Sequence, residues 1–389
     1  MSDTRSPQWP VTTDELSGNP HPLLHRLRAE EPVAWLPSLG GWLVSRHDLC
    51  MEVMLDPDTY TVDDPRFSTQ QVIGPSMLSL DGAQHRRHRD PFGGPFRAGR
   101  IRELEGYTTD RARELVRRVV SDAGGDLRAR VAGPLAVAVM ARVLDLADVA
   151  PEEVLGWYRE IVAAVHEVTA GGEVDTAARI AFEELKAAVV RNRASSGLLS
   201  TVAAGGALTT DEIVSNVAVL LFGGIVTAES STAIAFRYLL DDAGLAAEVE
   251  GDRSLVSHFV EEAFRIEPSA AAVDRYATRD SALGGVAIAR GDLVRVSLSA
   301  ANRDPEVFVE PDRFDMHREN LGKSLTFARG PHACLGLHLA RLEAVAAVGA
   351  LVDELTGLQP GDLDPIAGLV FRTPETVEAK WHGDLDFAN

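Results

Sequence analysis

Phe327-Ala328-Arg329-Gly330-Pro331-His332-Ala333-Cys334-Leu335-Gly336 runs directly into Leu337-His338-Leu339-Ala340-Arg341-Leu342-Glu343, a stretch of helical character. The segment sets one thiol at the start of a helix, where unpaired N–H groups and partial positive charge favour a thiolate over a thiol. Cys334 is thereby suited to binding a metal. Gly330 and Gly336 remove side chains on either side of the sulfur, so a flat group can approach the backbone and the loop can take conformations closed to other residues. Phe327 stands where it can shield the sulfur, and His332 where it can meet an acidic group at the rim of whatever binds. A lone Cys before an apolar helix is otherwise a buried core thiol, since free Cys packs as a small hydrophobe. The Phe, the two Gly and the His around this one weigh against that reading.

Upstream, Thr209-Thr210-Asp211-Glu212 reads as a capping box, with Thr209 at N-cap and Glu212 at N3, opening a helix that continues to about Leu240. Gly223-Gly224 sits in its middle. Each interior Gly costs about 1 kcal/mol against Ala, so an adjacent pair points to a distortion or to close approach of a ligand. Thr227 follows Gly223 by one turn, which places its hydroxyl to bond that carbonyl and open a small groove. Elsewhere, Val33 to Ser45 reads as a hairpin around Ser38-Leu39-Gly40. Helical spacing recurs at about 103–122, 135–145, 151–169, 176–193, 255–266 and 336–355, and short strands at about 286–290 and 293–298. Gly171-Gly172 and Gly205-Gly206 mark loops. The expected fold class is mainly α with small β-sheets.

The Cys334 loop resembles the haem-ligand loop of the cytochrome P-450 family, in which one cysteine thiolate is the axial ligand of the iron. The resemblance makes Cys334 the iron ligand and implies haem b (iron protoporphyrin IX) as cofactor. It also implies one cytochrome P-450 domain over 1–389, with a long central helix over the haem and a flexible segment at 1–20. Ala328 departs from the family, which usually shows Gly or another small or polar residue there; altered loop packing is the expected result. His85 and Arg89, one helical turn apart, resemble the family's pair for the haem propionates, and Arg275 and His332 complete that set. With Cys334, Phe327, Gly330 and Gly336 they form the expected cofactor site. Glu262 and Arg265, followed by Arg313, match the family's structural lock beneath it.

The family's Ala-Gly-x-Asp/Glu-Thr signature aligns with Gly223, Gly224, Ile225, Val226 and Thr227. The Thr, expected to be catalytic with Cys334, is kept, and the acid has become Val226. Glu229 lies i+3 from Val226, about 60° off its face, and so does not simply replace the missing carboxylate. A shifted register pairing Glu229 with Ser230 is the lesser alternative. Protons then come through water or substrate, or are not needed; Val226 and Ile225 otherwise just shape an apolar pocket. By the family plan the pocket is lined by Gly223, Gly224, Val226, Ala271, Val273 and Val370, within the wider segments at about 67–80, 154–182, 223–227, 269–273 and 368–370.

Composition bounds the rest. The 389 residues are 45% hydrophobic and 25% charged, the balance of an ordinary globular protein with ample core. Two cysteines provide no disulfide framework and fit a reducing, cytoplasmic setting, with Cys50 as inert core. No apolar signal or membrane anchor is read at the N-terminus, and the apolar run from Glu212 to Glu229 falls short of the ~20 residues a bilayer span needs. A net charge of −20 argues against nucleic acid. Basic residues gather locally at His85-Arg86-Arg87-His88-Arg89, Arg97, Arg100 and Arg102; they read either as an ordinary solvated face or as a dock for an acidic electron donor.

The resemblance therefore implies a haem-thiolate monooxygenase oxidising a hydrophobic small molecule, a specialised-metabolite intermediate, with dioxygen and electrons from a ferredoxin and its reductase. Val226 motivates a second reading, oxidative coupling, cyclisation or peroxide-driven oxidation without oxygen insertion. A third is a non-catalytic P-450-like auxiliary or haem-binding protein.

Overall fold

Apolar residues at helical spacing dominate the computed structural model, which describes residues 9–381 apart from 145, 147, 170–172, 193–196 and 355. Helices Glu105–Ser121, Gly133–Val143, Pro151–Thr169, Thr176–Asn192, Thr210–Asp241, Val256–Ile266 and Leu337–Val352 lie where the spacing predicts them. The reciprocal cap of the long helix is present: Glu212 N–H donates to Thr209 Oγ1 at 3.3 Å and Thr209 N–H to Glu212 Oε2 at 2.8 Å. Gly171-Gly172 falls outside the described residues, and Gly205 caps the helix Leu198–Ala204. Within the segment expected to be flexible, Thr13–Ser17 forms a helix with its own capping box from Thr12 and Glu15.

By contacts the chain sorts into two compact units, one made of Met1–Thr61, Tyr107–Ala132 and Thr227–Asn389, the other of Val62–Gly106 and Gly133–Val226. The first holds a five-stranded sheet in the spatial order Val33–Leu36, Gly41–Val44, Leu293–Ser297, Ala272–Ala277, Tyr60–Thr61. The predicted hairpin forms its edge, with Trp35 opposite Trp42 and their rings edge to face at 5.3 Å. Gly41–Val44 runs parallel to Leu293–Ser297 and the other pairs are antiparallel. Beneath the sheet a core of Val44, Val53, Met54, Val294, Val296 and Leu325 is fully shielded from water.

A buried ion knot anchors the same unit. Arg265 donates from Nε and Nη2 to the two oxygens of Glu262 at 2.6 and 2.7 Å, and both residues are wholly buried. The third member is Arg318, whose Nε donates to Glu262 Oε1 at 3.1 Å, and not Arg313 as the family resemblance implied. Arg313 turns its side chain outward to Glu310, 66% exposed, and contributes only its carbonyl, which accepts from Arg265 and Arg318. The motif fixes the main chain there, and the guanidinium that fills the interior comes from the next turn of the chain.

In the second unit, helix Gly82–Gly93 and the loop before it are tied to the start of the long helix. Asn216 Oδ1 accepts from Met77 N–H at 2.8 Å while its Nδ2 donates to buried His88 at 2.9 Å. Burial, with Arg87 alongside, holds the His88 imidazole below its ordinary range. The helix Thr210–Asp241 is the one among the described residues long and apolar enough to cross a membrane, and 72% of its apolar window is buried inside the protein.

Candidate functional site

Cys334 stands on a loop built almost entirely from main-chain bonds. A 3₁₀ turn, Gly330–His332, precedes it, Ala333 N–H donates to Gly330 O at 3.1 Å, and Cys334 N–H donates to Phe327 O at 2.8 Å. Gly330 has φ +75, and a Cβ there would lie 2.4 Å from Met54 O, so glycine is required by the left-handed backbone and by the neighbouring chain. Of the two causes the sequence offers for this glycine, access for a flat group and a conformation closed to other residues, the second is seen here. At Gly336 a Cβ would meet only Cys334 Sγ, at 4.0 Å. Ala328 takes φ +52, the left-handed region where glycine is at ease. A non-glycine residue in that conformation costs about 1 kcal/mol.

The loop is braced from beneath. Arg265 Nη1 donates to Asn302 O at 2.8 Å, Asn302 Oδ1 accepts from Leu325 N–H at 2.6 Å, and Asn302 Nδ2 donates to Thr326 Oγ1 at 2.9 Å. Thr326 in turn donates to Phe264 O at 2.7 Å. The Glu262 knot thus reaches Phe327 through one asparagine. Phe327 packs edge-on against Phe264 at 5.8 Å, and the Arg341 guanidinium lies 4.8 Å from its ring centroid, held there by Glu261. Held in this frame, the Cys334 thiol is exposed, whereas Cys50 is fully buried. Burial pushes the Cys50 thiol well up, leaving it inert.

The exposed Cys334 thiol, braced on its loop, is a donor that would suit a group held by one thiolate. Of the other expected cofactor residues, Arg275 is buried on strand Ala272–Ala277 and His332 is half-buried in the 3₁₀ turn, both in the first unit. His85, buried, and Arg89, half-buried, lie one turn apart on Gly82–Gly93 in the second.

On the long helix the paired glycines divide. A Cβ at Gly224 would fall 2.6 Å from Met140 Sδ, so this one serves helix packing; at Gly223 it would meet nothing within 4 Å, and Gly223 is exposed. The helix is unbroken from Thr210 to Asp241, through Val226 and Thr227. Glu229 is engaged by Arg128, whose Nε donates to it at 2.9 Å while Nη1 binds the carbonyls of Pro374 and Glu375. The shifted register therefore supplies no free acid. The predicted pocket residues Ala271 and Val370 are brought together, Ala271 N–H donating to Val370 O at 2.8 Å, with Val273 half-buried on the adjoining strand. Sequence reasoning missed Arg318, Arg128, Arg372 and Glu343. The last is a buried carboxyl on Leu337–Val352 that burial pushes well up and whose Oε1 has no hydrogen-bond partner.

A family model described as Cytochrome P450 matches residues 170–366. The chain belongs to the cytochrome P450 family. It is 31% identical to the 20-oxo-5-O-mycaminosyltylactone 23-monooxygenase of Streptomyces fradiae over 96% of this chain and 90% of that one. It is 32% identical to the nocardicin C N-oxygenase of Nocardia uniformis subsp. tsuyamanensis over 98% of this chain and 99% of that one. Among solved structures it is similar to CalO2, with a TM-score of 0.87 and 28% identity over 94% of this chain and 96% of that one. As a P450, the protein is an oxidoreductase of the monooxygenase type, with a haem-thiolate cofactor and a small-molecule substrate.

Proposed function

We propose that the protein is a cytoplasmic, haem b-dependent monooxygenase of specialised metabolism, with Cys334 as iron ligand, acting on a hydrophobic small molecule with electrons from a ferredoxin and its reductase. The observation that carries the ligand assignment is the contrast between the exposed, braced Cys334 thiol and the buried Cys50 thiol. Arg275 and His332, with His85 and Arg89, would hold the propionates by charge-assisted hydrogen bonds. The cofactor, when bound, supplies the activation of dioxygen. Thr227 supplies a hydroxyl for holding a water or passing a proton, and the small side chain of Ala271 would leave room for a bulky ligand. The names of the two relatives above support substrates of the secondary-metabolite type. The exposed thiol argues against a non-catalytic auxiliary role.

Support for the ferredoxin is narrower than the run of basic residues suggests. Arg87 is bound by Glu212 and Arg100 by Glu103, which leaves Arg86, Arg97 and Arg102 exposed as the steering charges. Dithionite reduction under carbon monoxide tests the ligand: a red-shifted Soret band reports thiolate ligation, and its absence from the wild-type holoprotein sinks the assignment. A second reading, coupling or cyclisation without oxygen insertion, is favoured by one observation, that Val226 carries no acid and the next carboxylate, Glu229, is tied to Arg128. Val226→Asp separates the two: a new hydroxylated product supports coupling as the native chemistry, and an unchanged product counts against it.

A further inference from the structure

Arg372 is 2% exposed, and each of its five N–H donors meets an acceptor. Nε donates to Glu267 Oε1 at 2.6 Å, Nη1 to the carbonyls of Ser17 and Gly368 at 3.2 and 3.1 Å, and Nη2 to those of Gly18 and Ile366 at 3.0 and 2.8 Å. A guanidinium is a rigid planar fork, so its acceptors are held in one fixed arrangement. Four of the five are main-chain carbonyls, from the turn after the helix Thr13–Ser17 and from the segment Ile366–Gly368. Gly368 N–H also donates to Ser17 O at 2.7 Å. Against the desolvation that would raise it, Glu267 is held at about 2 by a hydrogen bond from His21 and by the charges of Arg372 and Arg303.

Gly368 turns at φ +125, and a Cβ there would fall 1.9 Å from Phe371 O. This tight reversal brings Val370–Arg372 alongside Ser269–Ala271. Ala271 N–H donates to Val370 O and Arg372 N–H to Ser269 O, each at 2.8 Å, and Ala270 bridges Phe371. Ser231, one turn beyond Thr227 on the long helix, donates from Oγ to Ser269 Oγ at 2.8 Å, both buried. Behind this pair of segments lies a cavity of about 20 Å³ lined by Leu16, Leu369, Ala271 and Arg372 among others. Leu369 packs on that side against a buried apolar cluster that includes Leu16, Leu24 and Leu43, and the polar bonds add a fixed geometry to this packing.

We propose that Arg372 is a positioning residue that sets the Gly368–Val370 wall against the Ser269–Val273 wall and so determines which ligands fit over the iron. The inference rests on the reading above that these two segments line the substrate pocket of a haem enzyme. Arg372→Gln keeps length and some donors but loses the charge and the fork, while Ser231→Ala cuts only the tie from the long helix to Ser269.

The holoenzyme variants are titrated optically with two iron-binding probes, imidazole, which is too small to reach a wall, and 4-phenylimidazole, which is not. Arg372→Gln leaves the imidazole Kd within about twofold and shifts the 4-phenylimidazole Kd by about tenfold, and Ser231→Ala shifts it about threefold in the same direction. Amide exchange at Gly368 and Ala271 rises in both variants, a readout independent of the haem. Equal shifts for the two probes, or none for either in variants that exchange like wild type, overturn the proposal. If Arg372→Gln does not fold, Ser231→Ala decides alone by the same criteria. Failure of the wild type to bind either probe, or to show a thiolate band, would instead defeat the haem-enzyme reading on which the inference rests.

Discussion

Two thiols in one unit of this protein have opposite fates. Cys50, inside helix His47–Leu55, is wrapped by the sheet core, and its Sγ donates weakly to Val44 O at 3.4 Å. Cys334 has helix Leu337–Val352 just beyond it, yet its side chain is left exposed by a loop held by main-chain bonds from Ala328, Ala333 and Cys334 itself. Residue type and an adjoining helix are common to both. What differs is whether the backbone uses its hydrogen bonds to bury the side chain or to hold it out. An accessible thiol that is also rigidly placed needs a second layer, and here that layer is the Glu262–Arg265–Asn302 chain.

Removing one sulfur at a time is the strongest way to break this contrast. Cys334→Ala eliminates the thiolate-type Soret band in reduced, carbon monoxide-treated holoprotein, and Cys50→Ala retains it; loss in both, or in neither, would erase the distinction. Next comes the brace. Arg318→Ala takes one of two guanidinium groups from buried Glu262 and leaves the carbonyls of Val309, Glu310 and Arg313 without this donor, which costs about 2–4 kcal/mol in denaturant unfolding, whereas Arg313→Ala stays within about 0.5 kcal/mol. The reverse order would restore Arg313 to the interior.

A smaller effect is expected on the acid side. The Glu267 carboxylate is native down to about 2 against an ordinary 4.5, so as pH falls the unfolded chain takes up this proton first. Its contribution, roughly 3 kcal/mol at most, is complete above pH 4.5 and disappears as pH drops toward 2. Glu267→Gln flattens that part of the stability profile, and an unchanged slope would mean the carboxylate is not held by its cations. The smallest change is the stability cost of Cys50→Ala, about 1–2 kcal/mol from the space left in a closed core. A cost near zero would show Cys50 to be less tightly enclosed than Cys334 is braced.

The helices, the hairpin and the Cys334 loop were legible because each is written in short-range terms: 3.6-residue spacing, a capping box, a turn, a Gly beside a Cys. Arg318 was not, since nothing local separates it from Arg313; which arginine turns inward depends on the path of the chain between Glu310 and Asp315. Arg372 and Arg128 were missed for a related reason. Most of their partners are carbonyls, several of them, with the carboxylates, far away in sequence, and a carbonyl has no signature in a one-letter string. Gly330 was singled out both for close approach and for backbone freedom; its left-handed φ bears out the second, and the approaching group was not legible because a missing side chain says that something comes close but not what. At Gly224 the approaching group is Met140, and at Gly330 it is Met54.

The helix Thr13–Ser17 has a practical consequence for anyone preparing this enzyme. Its last turn lends the carbonyls of Ser17 and Gly18 to Arg372, whose other acceptors are Glu267 and the carbonyls of Ile366 and Gly368. A truncation chosen for convenience at Pro20 would leave two of the five guanidinium donors without acceptors in the interior. An affinity tag added ahead of Trp9 leaves this turn untouched, whereas a shortened variant would be expected to load haem and yet accept the wrong guests.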